Sequence, residues 1–155
     1  LLMRMVGNWE LSGVFQAQSG TPFSVRNNVD YAGVGAGSGN QFWNMPGDPS
    51  MDPSAFTDSA VWFNKAAFAQ PAAGTFGNVP RNAVVGPAFW QLDMAISRLV
   101  SFGTRHAELR LEAFNVFNHF NWGDPVTNFN SSTFGRITTQ EGDPRIIQFG
   151  VKYDF

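Results

Sequence analysis

Apolar and polar residues alternate with a period of two in four stretches of this chain, and the last is the clearest. In residues 145–155 (RIIQFGVKYDF), Ile147, Phe149, Val151, Tyr153 and Phe155 alternate with Gln148, Gly150, Lys152 and Asp154. Successive side chains of a strand point to opposite faces, so the pattern predicts a strand with one apolar and one polar or small face. In a first stretch, residues 9–25, Trp9, Leu11, Gly13, Phe15 and Ala17 share a face against Glu10, Ser12, Gln16 and Gln18, with Val14 the exception. Gly20-Thr21-Pro22 interrupts it, which suits a bulge or rim because proline cannot donate to a ladder. A second stretch, residues 89–102, sets Trp90, Leu92, Met94, Ile96, Val100 and Phe102 against Gln91, Asp93, Ala95, Ser97 and Leu99. Arg98 falls on its apolar side, near enough to the end to snorkel to an interface. A third, residues 106–118, opposes Ala107, Leu109, Leu111 and Ala113 to Glu108, Arg110 and Glu112.

The connections are very unequal. A tight turn at Gly103-Thr104 joins the second and third stretches, whereas residues 27–88 and 119–144 form long connections. Strands of about 9–11 residues cross a bilayer at a tilt, and transmembrane barrels pair short periplasmic turns with longer outer loops. The expected fold is therefore all-β: an antiparallel transmembrane β-barrel segment of about four strands, with long extracellular loops. The last strand stops on Phe155 without a polar tail, where the ends of soluble domains fray into water. The chain opens Leu1-Leu2-Met3-Arg4-Met5, with no export signal following. We therefore expect upstream residues and read 1–155 as a fragment, the carboxyl-terminal part of one barrel. A secreted soluble β-sandwich that binds glycans through exposed aromatics also gives alternating strands. A passive porin-like barrel would share every feature so far.

Composition narrows the field. Only 14% of the 155 residues are charged while 15% are aromatic, among them 16 Phe and 5 Trp, as suits a lipid-facing surface with aromatic girdles. No run of about 18 apolar residues exists, so no transmembrane helix is expected. A net charge of −2 argues against nucleic acid as a partner, which calls for clustered cations. The absence of cysteine excludes disulfides and thiolate metal sites.

The long connections read as irregular, with one short helical turn near residues 61–68. Residues 31–40 (YAGVGAGSGN) lack the lysine and helix of a phosphate loop. Phe42, Trp43, Trp62, Phe63 and Phe68 either line a ligand vestibule or, the preferred reading, pack the loop on itself or over the barrel mouth. Asp48, Asp52 and Asp58 are too irregularly spaced for a calcium loop. His106 and His119 stand at opposite ends of the third stretch and cannot share a metal; His119 reads as a rim residue. No cofactor is expected. Asp93, Glu108, Arg110 and Glu112 share the polar face, which in a barrel looks into the lumen. A carboxylate-pair hydrolase is the catalytic alternative, but any polar lumen wall brings such groups together, so no enzyme is expected.

Several elements together carry a family resemblance. They are Ser19-Gly20-Thr21-Pro22-Phe23, Gly77-Asn78-Val79-Pro80-Arg81-Asn82 with Gly86-Pro87, and Phe134-Gly135-Arg136-Ile137. Arg110-Leu111-Glu112-Ala113-Phe114-Asn115-Val116-Phe117-Asn118-His119 and the terminal strand complete the set. Over nearly the whole chain this resembles the carboxyl-terminal end of a TonB-dependent outer-membrane receptor, in the Oar-like subgroup that carries a carboxypeptidase-regulatory-like domain. The resemblance implies a barrel of about 22 strands closed by a plug, in the bacterial outer membrane. It also implies energy-coupled uptake of a siderophore, vitamin or glycan. The implied partners are outer-membrane lipid, the plug and barrel strands upstream, and the inner-membrane energy-coupling complex through the amino-terminal region. The terminal strand is similar to the signal read by the barrel-assembly machinery, with Ile147, Phe149, Val151, Tyr153 and Phe155 as its side chains. The proposed contact is β-augmentation on an unpaired edge.

Overall fold

The computed structural model describes residues 7–27, 29–35, 41–51 and 61–154. Strands dominate: β1 (Trp9–Gln18), β2 (Pro22–Phe23), β3 (Arg26–Asn27), β4 (Gln41–Phe42), β5 (Val84–Val85), β6 (Phe89–Phe102), β7 (Arg105–Phe114), β8 (Asn121–Trp122), β9 (Gln140–Glu141) and β10 (Ile146–Asp154). One 3-10 turn, Lys65–Ala67, stands inside the stretch where a short helical turn was expected, capped by the Asn64 side chain on the Ala66 amide. The chain divides into two compact units. One comprises residues 1–18, 89–121 and 142–155; the other, residues 19–88 and 122–141.

The first unit is a four-stranded antiparallel sheet in the order β1-β6-β7-β10. Its register confirms the faces read from the sequence. Leu11, Ile96, Leu111 and Phe149 form one row across the sheet, and Trp9, Arg98, Leu109 and Val151 another. The opposite face carries the row Ser12, Ala95, Glu112 and Gln148, and the row Glu10, Ser97, Arg110 and Gly150. A one-residue slip would exchange the two faces, so the pattern pins the register. Among the described residues nothing in the unit covers the apolar face: Leu11, Phe15, Ile147, Phe149 and Val151 are all 60–69% exposed. A continuous apolar face of this extent requires an apolar environment. Between β6 and β7, Gly103 takes a φ of +67° at the first position of a two-residue turn, a place the hairpin geometry reserves for glycine.

Two strand boundaries differ from the expected ones. The first strand ends at Gln18 instead of continuing to residue 25, and Pro22–Phe23 pairs with Val84–Val85 in the second unit. At Gly20 a Cβ would collide with the Gly86 carbonyl, so a backbone crossing fixes the break. The third strand stops at Phe114 instead of 118, because Asn115 and Asn118 take left-handed φ of 50° and 51°. The last strand runs Ile146–Asp154, and Phe155 lies outside the described residues.

The second unit corrects the expectation of irregular loops. Its described residues carry the pairs β2-β5 and β3-β4 and a core of their own. Val25, Trp43, Phe63, Ala67, Phe68, Val79, Val84 and Phe134 are buried together. The rings meet edge to face, with Phe63 and Phe68 at 5.0 and 5.6 Å from Phe134. Lys65 Nζ sits 4.7 Å above the Phe129 ring. Each buried Phe contributes on the order of 1.5–3 kcal/mol, which offsets the entropy of ordering long connections. Trp43, Phe63 and Phe68 thus pack the connection on itself, and Phe42 and Trp62 lie against that core.

Candidate functional site

The polar face of the sheet gathers the charges singled out in the sequence. Asp93, Glu108, Arg110 and Glu112 all project from it, as strand parity dictates. They are not one cluster. Arg110 donates to Glu112 Oε1 through Nε at 2.9 Å and approaches it again through Nη2 at 2.8 Å. This pair occupies neighbouring rungs, with Ser97 and Gly150 beside Arg110 and Ala95 and Gln148 beside Glu112. Toward the turn, Glu108 lies in register between Leu99 and Lys152, and Lys152 Nζ reaches Asp154 at 3.4 Å. In the row of Asp154, nearer the turn, Ser101 Oγ is 3.0 Å from His106 Nδ1. An open groove of about 240 Å³ on this face is lined by Ser12, Asp93, Arg110, Glu112 and Phe114 among others.

Asp93 has a different job from the rest. Its Oδ1 accepts the Asn115 backbone N–H at 2.8 Å, and both its oxygens accept from Gln91 Nε2 at 3.1 Å. It anchors the point where β7 ends. Buried Asn115 completes that anchor: its Nδ2 donates to the carbonyls of His119 and Asp143, and its Oδ1 accepts the His119 amide. Asn121, also buried, accepts the Trp90 N–H through Oδ1 and donates to the Trp90 carbonyl through Nδ2, both at 3.0 Å. Its side chain replaces a strand neighbour at the end of β6. Asn118 Oδ1 receives the Arg145 amide at 3.1 Å. The sequence reading gave none of these asparagines a structural role; the available signal was asparagine's tolerance of left-handed backbone.

His119 stacks on Trp90 with ring centroids 4.1 Å apart, so the rim reading suits it better than a ligand role. Trp90 is also within 6.5 Å of Phe15 and 6.0 Å of Phe117, giving an aromatic cluster at the loop end of the apolar face. Ile147, Phe149, Val151 and Tyr153 lie on that apolar face of β10, an edge strand of the sheet.

In the second unit, a cavity of about 310 Å³ opens between Pro49, Ser50, Met51, Trp62, Phe63 and Val84. Nearby in sequence, the Asp30 carboxylate accepts the Gly35 amide at 2.7 Å, the Val34 amide at 3.1 Å and the Gln41 side chain. The Gly35 amide, helped by the others, holds its pKa below the ordinary carboxylate value. Asp48 is lowered in the same way by the Ser50 amide and hydroxyl.

An antiparallel sheet with one bare apolar face, one charged face, a tight turn at one end and long structured connections at the other defines a transmembrane β-barrel protein. The comparison with known families agrees. The chain belongs to the family described as outer membrane beta barrel domain, whose model matches residues 1–148. Its place is accordingly the bacterial outer membrane. No curated protein and no solved structure matches it.

Proposed function

We propose that this chain is the carboxyl-terminal barrel portion of a TonB-dependent receptor that imports a scarce solute of siderophore, vitamin or glycan type. The observation that carries the reading is the second unit: the long connections form a packed body with its own aromatic core and an open cavity. A receptor needs an ordered surface to select a solute, and loops this long are usually functional when ordered. The charged face suits a lumen wall in contact with a plug, with Glu108, Arg110, Glu112 and Asp93 as its lumen-facing charges. In this reading the energy-coupling complex of the inner membrane acts through the plug region. In this reading the chain carries no enzymatic activity, and the Arg110–Glu112 pair and the Asp93 bond to the Asn115 amide are structural contacts of the wall. On the same reading, Ile147, Phe149, Val151, Tyr153 and Phe155 present the assembly machinery with an alternating strand, β10 offering its outer edge for augmentation.

A passive porin-like barrel is the second reading, favoured by the open groove on the charged face. Conductance separates the two. The full-length protein in planar lipid bilayers should show no steady conductance if a plug closes it. A stable ohmic conductance would sink the receptor reading and leave the porin.

A further inference from the structure

The polar face of the sheet is graded along its strands. Toward the Gly103 turn its rows carry Glu10 and Arg110, then Glu108 and Lys152, then His106 and Asp154. Toward the long connections the character changes to amide and ring. Gln16 stands opposite Gln91, and Gln18 opposite Phe89, in neighbouring rows of the same face. They lie at the opposite end of the sheet from Trp9 and Asp154. Gln16 and Gln18 are exposed, and Phe89 and Gln91 are half-buried. The nearest charge on these two strands is Asp93, whose carboxylate is held by the Asn115 amide and the Gln91 side chain. Gly142, with a left-handed φ of 70°, puts no side chain where a Cβ would stand 3.1 Å from the Phe89 ring and 3.5 Å from Gln91 Oε1. The groove of about 240 Å³ begins one row further in, at Val14 and Asp93, and continues to Ser12. All of these residues belong to the first unit.

We infer that Gln16, Gln18, Gln91 and Phe89 form a subsite for a neutral carbohydrate at the outer end of the lumen wall. The inference deepens the receptor reading by choosing among its solutes, and it rests on the barrel placing this face in the lumen. Each glutamine amide offers two donors and an acceptor, a set that sugar hydroxyls answer because a hydroxyl both donates and accepts. A phenyl ring takes the apolar C–H face of a sugar ring out of water while its hydroxyls stay with the amides. Strand geometry sets the scale. Gln16 and Gln91 stand about 5 Å apart across the ladder, and Phe89 and Gln91 about 7 Å apart along β6, a span that one sugar ring covers. A charged solute meets no opposite charge in these rows, and the Asp93 carboxylate already has its own donors. A purely apolar solute would strip water from the amides without replacing its hydrogen bonds.

Saturation-transfer NMR of the full-length protein in lipid nanodiscs tests this. The neutral probes are maltohexaose, cellohexaose, mannohexaose and xylohexaose; the charged ones are oligogalacturonate and chitosan oligomers. The wild type should bind at least one neutral probe and neither charged one. Gln16→Ala and Phe89→Ala should each weaken that binding about fivefold, the loss expected for one hydrogen bond or one ring contact. Lys152→Gln, at the turn end, should leave it unchanged. Heat-modifiable mobility shows which variants have folded, and the wild-type comparison stands without them. Binding of no neutral probe, or equal binding of neutral and charged ones, overturns the proposal. So does unchanged affinity in a folded double variant of Gln16→Ala with Phe89→Ala. Conductance remains a separate measurement. A closed barrel that binds no neutral probe keeps the receptor and loses this site, whereas an ohmic barrel that binds one loses the receptor and keeps the site.

Discussion

Phe149 and Gln148 are chain neighbours with opposite surroundings, and they test the face assignment most directly. Phe149 shares a row with Leu11, Ile96 and Leu111, midway between Trp90 and Phe102 on β6, and is 69% exposed. Arginine at Phe149 should cost about 2–4 kcal/mol, as it does at a bilayer midplane, and arginine at Gln148 little. Equal costs in a folding titration into lipid vesicles would reverse the faces. Asn121 is the second informative residue. Its two bonds to the Trp90 backbone are made in a buried position, so Asn121→Ala strands both partners and should destabilise the protein by about 1–3 kcal/mol. Denaturant unfolding of the lipid-embedded protein reads that loss; an unchanged midpoint would mean that water satisfies the Trp90 groups. These two residues differ in legibility. Phe149 announced its face through its neighbours in sequence, whereas the partner of Asn121 lies 31 residues away.

Elements were legible in their interiors and not at their ends. A period of two is local, so β1, β6, β7 and β10 followed from counting. Their ends depend on Gly20 meeting Gly86, and on Asn115 joining Asp93, His119 and Asp143, contacts that span the connections. The turn held by Asp30 adds a pH dependence at this scale. Its pKa is lowered in the folded chain, so its contribution is present above the unfolded carboxylate value and is lost as pH falls through the lowered one. The Gly35 amide resonance should titrate with that lowered midpoint, and Asp30→Asn should abolish the transition. A midpoint at the ordinary aspartate value would show that the Gly35 and Val34 amides do not hold the carboxylate.

The whole molecule joins a sheet made for lipid to a unit packed like a soluble domain. In the sheet, β1 and β10 each pair with one neighbour only among the described residues, and the exposed apolar side chains lie between those edges. Residues 1–155 expressed alone should therefore aggregate in water, since unpaired strand edges template further pairing. A soluble monomer that unfolds cooperatively would remove the need for further barrel strands and for lipid. The second unit was the least legible part. Its core joins Trp43, Phe63 and Phe68 to Phe134, residues scattered over two connections without any periodicity. Composition marked them as aromatic, and the choice between packing and lining a vestibule required coordinates.

By itself the sequence determined the interiors of the four long strands β1, β6, β7 and β10 and the faces of their residues, because alternation is a short-range consequence of the pleat. It also placed Asp93, Glu108, Arg110 and Glu112 on one side and Arg98 on the other. Only the tertiary structure decided what those residues do: that Arg110 neutralises Glu112, that Asp93 anchors the end of β7, and that asparagine side chains close the loop end of the sheet. The last two outcomes rest on contacts between residues 22 and 31 positions apart, which leave no period to count, and the Arg110–Glu112 pair rests on side-chain conformations that alternation does not specify.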